Sequence, residues 1–410
     1  MFLRQYLTGA MIQKSLGFLA SGVLVTLLTA CGSSSSGNSE PEDVNNGTSY
    51  SVSLSSDETV PAKTSTGTGQ GSVTLDESNG DIDGSITMTG LSSAINAAHI
   101  HSGEAGLTGG IVVGLEKGDT DNTWKIPAGS SLDNSQIAAL LAGKMYFNVH
   151  TADNPSGEVR GQIIPTGIQM IRAVLDGAQQ VPNPVTTTSS SVGYVTINTA
   201  SGAVSGNLRT SNLNDATAAH IHSAFAGKNG GIVVAFEQDA SDISIWKLPD
   251  NTVLTAEQLS QLNAGGNYFN IHSSTNPPGV LRGQLIPEGI KLVRSEMGAD
   301  QEVPPETSAG NGIGYTTVNT TSGAITANIR TFGLGGTETV SHIHEGAAGS
   351  NGGVKILFEK ADASDTSFWV SPAGAILDAT TLTAFNSGNL YFNLHTTTIA
   401  SGELRGQITP

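Results

Sequence analysis

"YVTINTASGAVSGNLR" occupies residues 194–209 and reads as two strands around a tight turn. Tyr194–Asn198 and Val204–Arg209 alternate between apolar or aromatic and polar residues, and the small polar "TASG" between them supplies the reversal. "YTTVNTTSGAITANIR" at 315–330 repeats the hairpin almost residue for residue. Around it, 51 Gly, 13% charged and 5% aromatic residues suit short strands joined by turns better than helix bundles. An all-β chain is expected.

The repeat extends far beyond the hairpin. "VP" stands at Val60–Pro61, Val181–Pro182 and Val303–Pro304, "HIH" starts at 99, 220 and 342, and "RGQ" starts at 160, 282 and 405. Each marker moves by 121 to 123 residues, the size of a whole domain and not of a solenoid unit. Three tandem domains follow: 48–166, 167–288 and 289–410. The junctions "IIPTGIQMIR" and "LIPEGIKLVR" leave almost no linker, so neighbouring domains should touch. Within each unit one helix is legible, from Asp133 to Gly143 and again at "TAEQLSQLNAGG", where Thr255 is the N-cap, Gln258 completes a capping box and Gly265 is the stop. About seven or eight short strands per unit predict a Greek-key β-sandwich.

All nine histidines belong to this pattern: His99, His101 and His150; His220, His222 and His272; His342, His344 and His395. Strand alternation turns His99 and His101 to one face with Ile100 on the other, and likewise Asn148 and His150 opposite Val149. If the two strands adjoin, three imidazoles converge, with Arg160 and Gln162 as potential neighbours. Three neutral imidazoles on rigid strands form a ligand set for copper or zinc with a position left open. The same residues could equally form a buried hydrogen-bond network that fixes register. Glu158 and Glu403 of "SGEVRGQ" and "SGELRGQ" are candidate bases for a metal-bound water, but Val280 takes that place in the second unit. The aromatic pairs Tyr146–Phe147, Tyr268–Phe269 and Tyr391–Phe392, with the three Trp, are expected to pack core and hairpins. No Ser/His/Asp or Cys/His nucleophile set is expected.

Residues 1–30 place Arg4 and Lys14 ahead of "LGFLASGVLVTLLTA", a secretory signal pattern too short to span a membrane. "LTAC" resembles the bacterial lipobox, which implies lipidation of Cys31, the only cysteine, and a membrane anchor through it; residues 31–47 would be a polar tether. Gly32 is not the aspartate that favours inner-membrane retention, so the outer membrane is the expected location. Removing the leader changes 18 basic residues to 16 against 35 acidic ones and takes the net charge from -17 to -19. Such a surface repels phosphate backbones and excludes nucleic acid as a partner.

Taken together, "QEVPP", "HIHEGAAGSNGGV", "YFNLHT" and "SGELRGQI" in the third unit resemble the CHRD domain, first named from chordin. The resemblance covers 48–410 as three copies. It implies secreted β-sandwich domains, immunoglobulin-like or superoxide-dismutase-like. "HIHEG" also looks like the copper-ligand strand of copper/zinc superoxide dismutase, but no bridging-histidine loop, zinc aspartate or disulfide accompanies it, so dismutase activity is not implied. Two functions are expected to compete. One is an envelope lipoprotein displaying three domains for binding or scaffolding, with metal in each. The other is a copper or zinc metalloprotein whose trihistidine site is a redox or hydrolytic centre.

Overall fold

The computed structural model describes residues 47–362 and 365–410. The signal pattern, Cys31 and all but the last residue of the tether lie outside the described residues. In the first domain the elements are β1 (Thr48–Ser55), β2 (Thr68–Leu75), β3 (Ile82–Thr89), β4 (Ile95–Ser102), β5 (Ile111–Gly114), β6 (Glu116–Lys117), β7 (Thr123–Lys125), α1 (Asn134–Leu141), β8 (Met145–Thr151) and β9 (Val159–Ile163). Nine strands, against the seven or eight expected, arise because the segment after the histidine strand breaks into short pieces such as the two-residue β6. The order β5-β4-β8-β9 makes one antiparallel layer, and β1-β2-β3-β7-β6 makes the other. They meet where Ser55 pairs with Arg160. The second domain repeats both layers at 168–285, joined at the same corner by the bridge between Asp176 and Arg282. The third repeats them at 290–408.

Alternation explains why two layers form. On β8, Met145, Phe147 and Val149 point inward and join Val52, Ile86 and Ile100 in a buried core, while Tyr146, Asn148 and His150 lie on the other face. The hairpin at 194–209 forms as read, with Ile197 opposite Val204. Helix α1 has Asp133 as N-cap and a full capping box with Gln136, and the helix Ala256–Asn263 has Thr255 and Gln258 in the same roles. In the third domain Asp378 caps Ala379–Asn386 alone, since Thr381 stands where the others have glutamine. Only residues 164–167 and 286–289 separate consecutive domains. The neighbours do touch: Asn207 Nδ2 donates to Ala105 O at 2.7 Å, and Asn328 Nδ2 to Ala226 O at 2.8 Å.

Candidate metal centre

Strands β4 and β8 are adjacent, with His99 opposite Asn148, Ala97 opposite His150 and His101 opposite Tyr146. The three imidazoles therefore share the outer face of the four-stranded layer, away from the apolar core. Next to His101 the β4–β5 register shifts by one residue, and the shift recurs at Ile221/His222 and Ile343/His344. Bulges of this kind re-aim side chains at sites. In every domain one ligand-capable atom from each histidine lies within 4.8 Å of the other two. His99, His101 and His150 come together, as do His220, His222 and His272, and His342, His344 and His395.

Which nitrogen faces inward is fixed from outside the cluster. His101 Nδ1–H donates to Gly109 O at 3.0 Å and His150 Nδ1–H to Pro155 O at 2.9 Å. A carbonyl can only accept, so both Nε2 atoms are left as bare acceptors. His222 and His272 repeat this on Gly230 O and Pro277 O, and His344 and His395 on Gly352 O and Ala400 O. In the second and third domains the result is complete. The buried atoms His220 Nδ1, His222 Nε2 and His272 Nε2 have no hydrogen-bond partner, nor do His342 Nδ1, His344 Nε2 and His395 Nε2. The two Nε2 lone pairs that the carbonyls leave facing one another in each cluster are costly unless a cation or the third imidazole's N–H fills the gap.

Electrostatics favour the neutral form of the two histidines on each HIH strand. Burial, then the other imidazoles, pushes His99 and His220 below the usual histidine range, and His342 down to about 4. Burial likewise lowers His101, His222 and His344, against the opposing pull of their carbonyl bonds. Neutral imidazole is the ligating form.

A stack of side chains supports the site from one flank. Tyr146, expected in the core, instead lies on the outer face, parallel to His101 with ring centroids 5.0 Å apart and planes 9° from each other. The Arg160 guanidinium sits 3.4 Å over the same ring. Arg160 and Gln162 are thus set apart from the three imidazoles by Tyr146. Arg160 is buried and donates to Glu104 O and Leu107 O, and Gln162 donates to Gly103 O and Gly143 O. Together they pin the loop that carries Gly109 O, whose amide also donates to Tyr146 OH at 3.1 Å. The period-two pattern of "YFNVHT" already placed tyrosine, asparagine and histidine on one face and could have revealed this role.

Two further residues were not legible as site components. Gln180 Nε2 donates to Asn270 Oδ1 at 2.8 Å, and Glu302 Oε1 accepts from Asn393 Nδ2 at 2.8 Å. Burial pushes Glu302 up to about 7 although Arg405 and Asn393 pull the other way. The first domain has Thr59 at this place, and its Asn148 Nδ2 lies 3.3 Å from His150 Nε2.

Glu158 and Glu403 are not bases for this site. Glu158 is fully buried on the opposite face, where its carboxylate accepts from Ser65 Oγ, Ser92 N and Oγ, and Thr151 Oγ1 at 2.6 to 2.7 Å. Glu403 is held likewise by Ser308, Gly335 and Thr396. Val280 belongs to the apolar core of the second domain. The glutamate is a structural clasp, which is why a hydrophobe can replace it. Trp246 and Trp369 are core residues, with Trp124 packed half-buried against its own core.

The CHRD domain, as a family model, matches this chain three times, at residues 50–163, 171–285 and 293–408. No curated protein matches the sequence.

Proposed function

The chain belongs to the CHRD domain family as three tandem copies, and from that premise we propose that it is a metal-binding protein holding one copper or zinc ion per domain. The observation that carries this reading is the set of inward nitrogens without partners, the other ring nitrogen of His222, His272, His344 and His395 being tied to a backbone carbonyl. Carbonyl donation of this kind fixes tautomer and ring orientation at metal sites. A purely structural network would satisfy its own members; in two clusters all three inward nitrogens lack a partner, and in the first His101 Nε2 lacks one. Three neutral nitrogens leave a coordination position free for water or a small ligand.

The domains are displayed from a bacterial envelope membrane through lipidated Cys31, and their role is binding or scaffolding. The rival reading, a hydrolytic centre, loses its candidate base because Glu158 and Glu403 face away from the histidines. A redox role remains the second reading, since three neutral imidazoles also suit copper.

Metal content by plasma mass spectrometry, after separate copper and zinc loading and desalting, tests the proposal. About one ion per domain is expected. It should be lost when His99, His220 and His342 are all replaced by Ala. Absence of retained metal in the unsubstituted chain would overturn the reading.

A further inference from the structure

The two joints between domains are built alike. Each receiving sheet carries a row of three side chains in register: Arg172 opposite Tyr194 and Tyr194 opposite Asn207, then Arg294 opposite Tyr315 and Tyr315 opposite Asn328. The asparagine donates to an alanine carbonyl of the preceding domain, Ala105 or Ala226, and both alanines are buried. The next residue is a glycine lying against the tyrosine. A Cβ on Gly106 would stand 2.5 Å from Tyr194 and 2.6 Å from Asn207 Oδ1, and one on Gly227 would strike Tyr315 and Asn328. Buried carbonyls need a donor, and tyrosine supplies contact area at low entropic cost. These residues therefore form a directional docking pair, loop on one side and row on the other.

Each end of the array has one half of the pair. In the third domain the loop has the same shape: Gly349 has φ +77°, beside +81° at Gly106 and +83° at Gly227. Arg405 pins it through Ala347 O and Ser350 O, as Gln407 does through Gly346 O. Yet Ala347, Ala348 and Gly349 are exposed, and a Cβ on Gly349 would meet nothing within 4 Å. At the other end the row of the first domain is Ser51, Ser72 and Ser85, again in register. Serine is too short to reach a docked carbonyl or to cover a glycine.

We propose that Ala347–Gly349 is an open docking loop fitted to an Arg-Tyr-Asn row on a sheet of the same type in another polypeptide, and that the serine row bars a second copy of this chain from that role. The loop is preorganised, so docking costs little ordering of the chain. A second copy has its two competent rows already covered internally.

The test restores the missing half. The full chain carrying Ser51→Arg, Ser72→Tyr and Ser85→Asn is compared with the unsubstituted chain by sedimentation velocity. Concentrations up to roughly 1 mM are used, since an intermolecular joint lacks the effective concentration that a short linker provides. The unsubstituted chain should remain one species, while the variant's weight-average mass should at least double. Adding Gly349→Val should return it to a single species. A triple variant that stays monomeric overturns the proposal, as does an unsubstituted chain whose association Gly349→Val abolishes. A second measurement does not depend on the triple variant folding. Tyr194→Ser with Asn207→Ser, which copies the serine row into the second domain, should open the first joint and raise the radius of gyration in small-angle X-ray scattering. An unchanged radius would overturn the docking pair itself.

Discussion

Asn148 Nδ2 lies 3.3 Å from His150 Nε2, the nitrogen that the carbonyl of Pro155 has left as an acceptor. In the other two domains the equivalent asparagine is drawn away by Gln180 or Glu302. The first cluster also brings His99 Nδ1 to 3.2 Å from His150 Nε2. This domain is thus the closest of the three to a self-satisfied network, and a metal ion must displace those bonds. Its site should bind metal the most weakly, by roughly tenfold if one net hydrogen bond is lost. Isothermal titration of chains that retain one intact cluster each should rank the first domain last. Thr59→Gln, which gives Asn148 a competing partner, should narrow the gap. Equal affinities in all three would contradict the ranking.

The depressed histidines make the metal-free protein acid-sensitive. His342 titrates at about 4 when folded, against an ordinary value of 6.5, because burial and then His344 and His395 disfavour its charged form. The unfolded chain consequently binds more protons between those limits, so stability is full above about 6.5 and falls as pH drops toward 4. The metal-free melting temperature should decline across that window, less steeply in His342→Ala. The same low values reduce competition from protons, so metal should be retained at pH 5, where an exposed histidine site would begin to lose it. Calorimetric melts with and without metal at pH 4 to 7 check both statements.

Much of this was legible in the sequence because strand alternation is a strict rule. Given His99, Ile100 and His101, the two imidazoles had to share a face, and the hairpin and capping boxes followed from equally local chemistry. What was not legible depended on contacts between distant segments. Gly109 O and Pro155 O are backbone atoms in loops, and no residue type announces that they will orient a histidine. Arg160 and Gln162 were assigned to the right face, but their reach past Tyr146 to the loop carbonyls depends on how that loop folds over the sheet. Alternation alone gives Glu158 the face of Arg160 and Gln162, but it stands before β9 begins at Val159, and its carboxylate turns instead to Ser92 and Thr151.

The Glu158 clasp predicts an acid limit and a specific mutational cost. Burial alone would raise its carboxyl, but hydrogen bonds from Ser65, Thr151 and Ser92 outweigh this and hold it at about 2. With the folded value lowered from 4.5, the contribution is present above that pH and is lost as pH falls toward 2. Glu158→Val leaves three hydroxyls without their acceptor and should destabilise the first domain by about 3 kcal/mol. Val280→Glu should also destabilise, since Val280 is buried in the apolar core of the second domain. Thermal melts of the two variants should both lie below the parent; a neutral Glu158→Val would remove the clasp from the account.

Arg405→Lys separates the support of the site from its ligands. Arg405 stands 3.6 Å over the Tyr391 ring, and its Nη2 donates to both Ala347 O and Ser350 O, while Tyr391 stacks on His344 at 5.0 Å. Lysine keeps the charge but has neither the planar face nor the paired donors, so the loop bearing Gly352 O loses its anchor. His344 then loses its fixed tautomer, and metal affinity in the third domain should fall by about 10- to 100-fold while His342, His344 and His395 remain in place. The readout is competition against a calibrated chelator, with far-ultraviolet circular dichroism unchanged from the parent. Undiminished affinity would mean that the strands alone orient His344 and that the arginine serves only the loop.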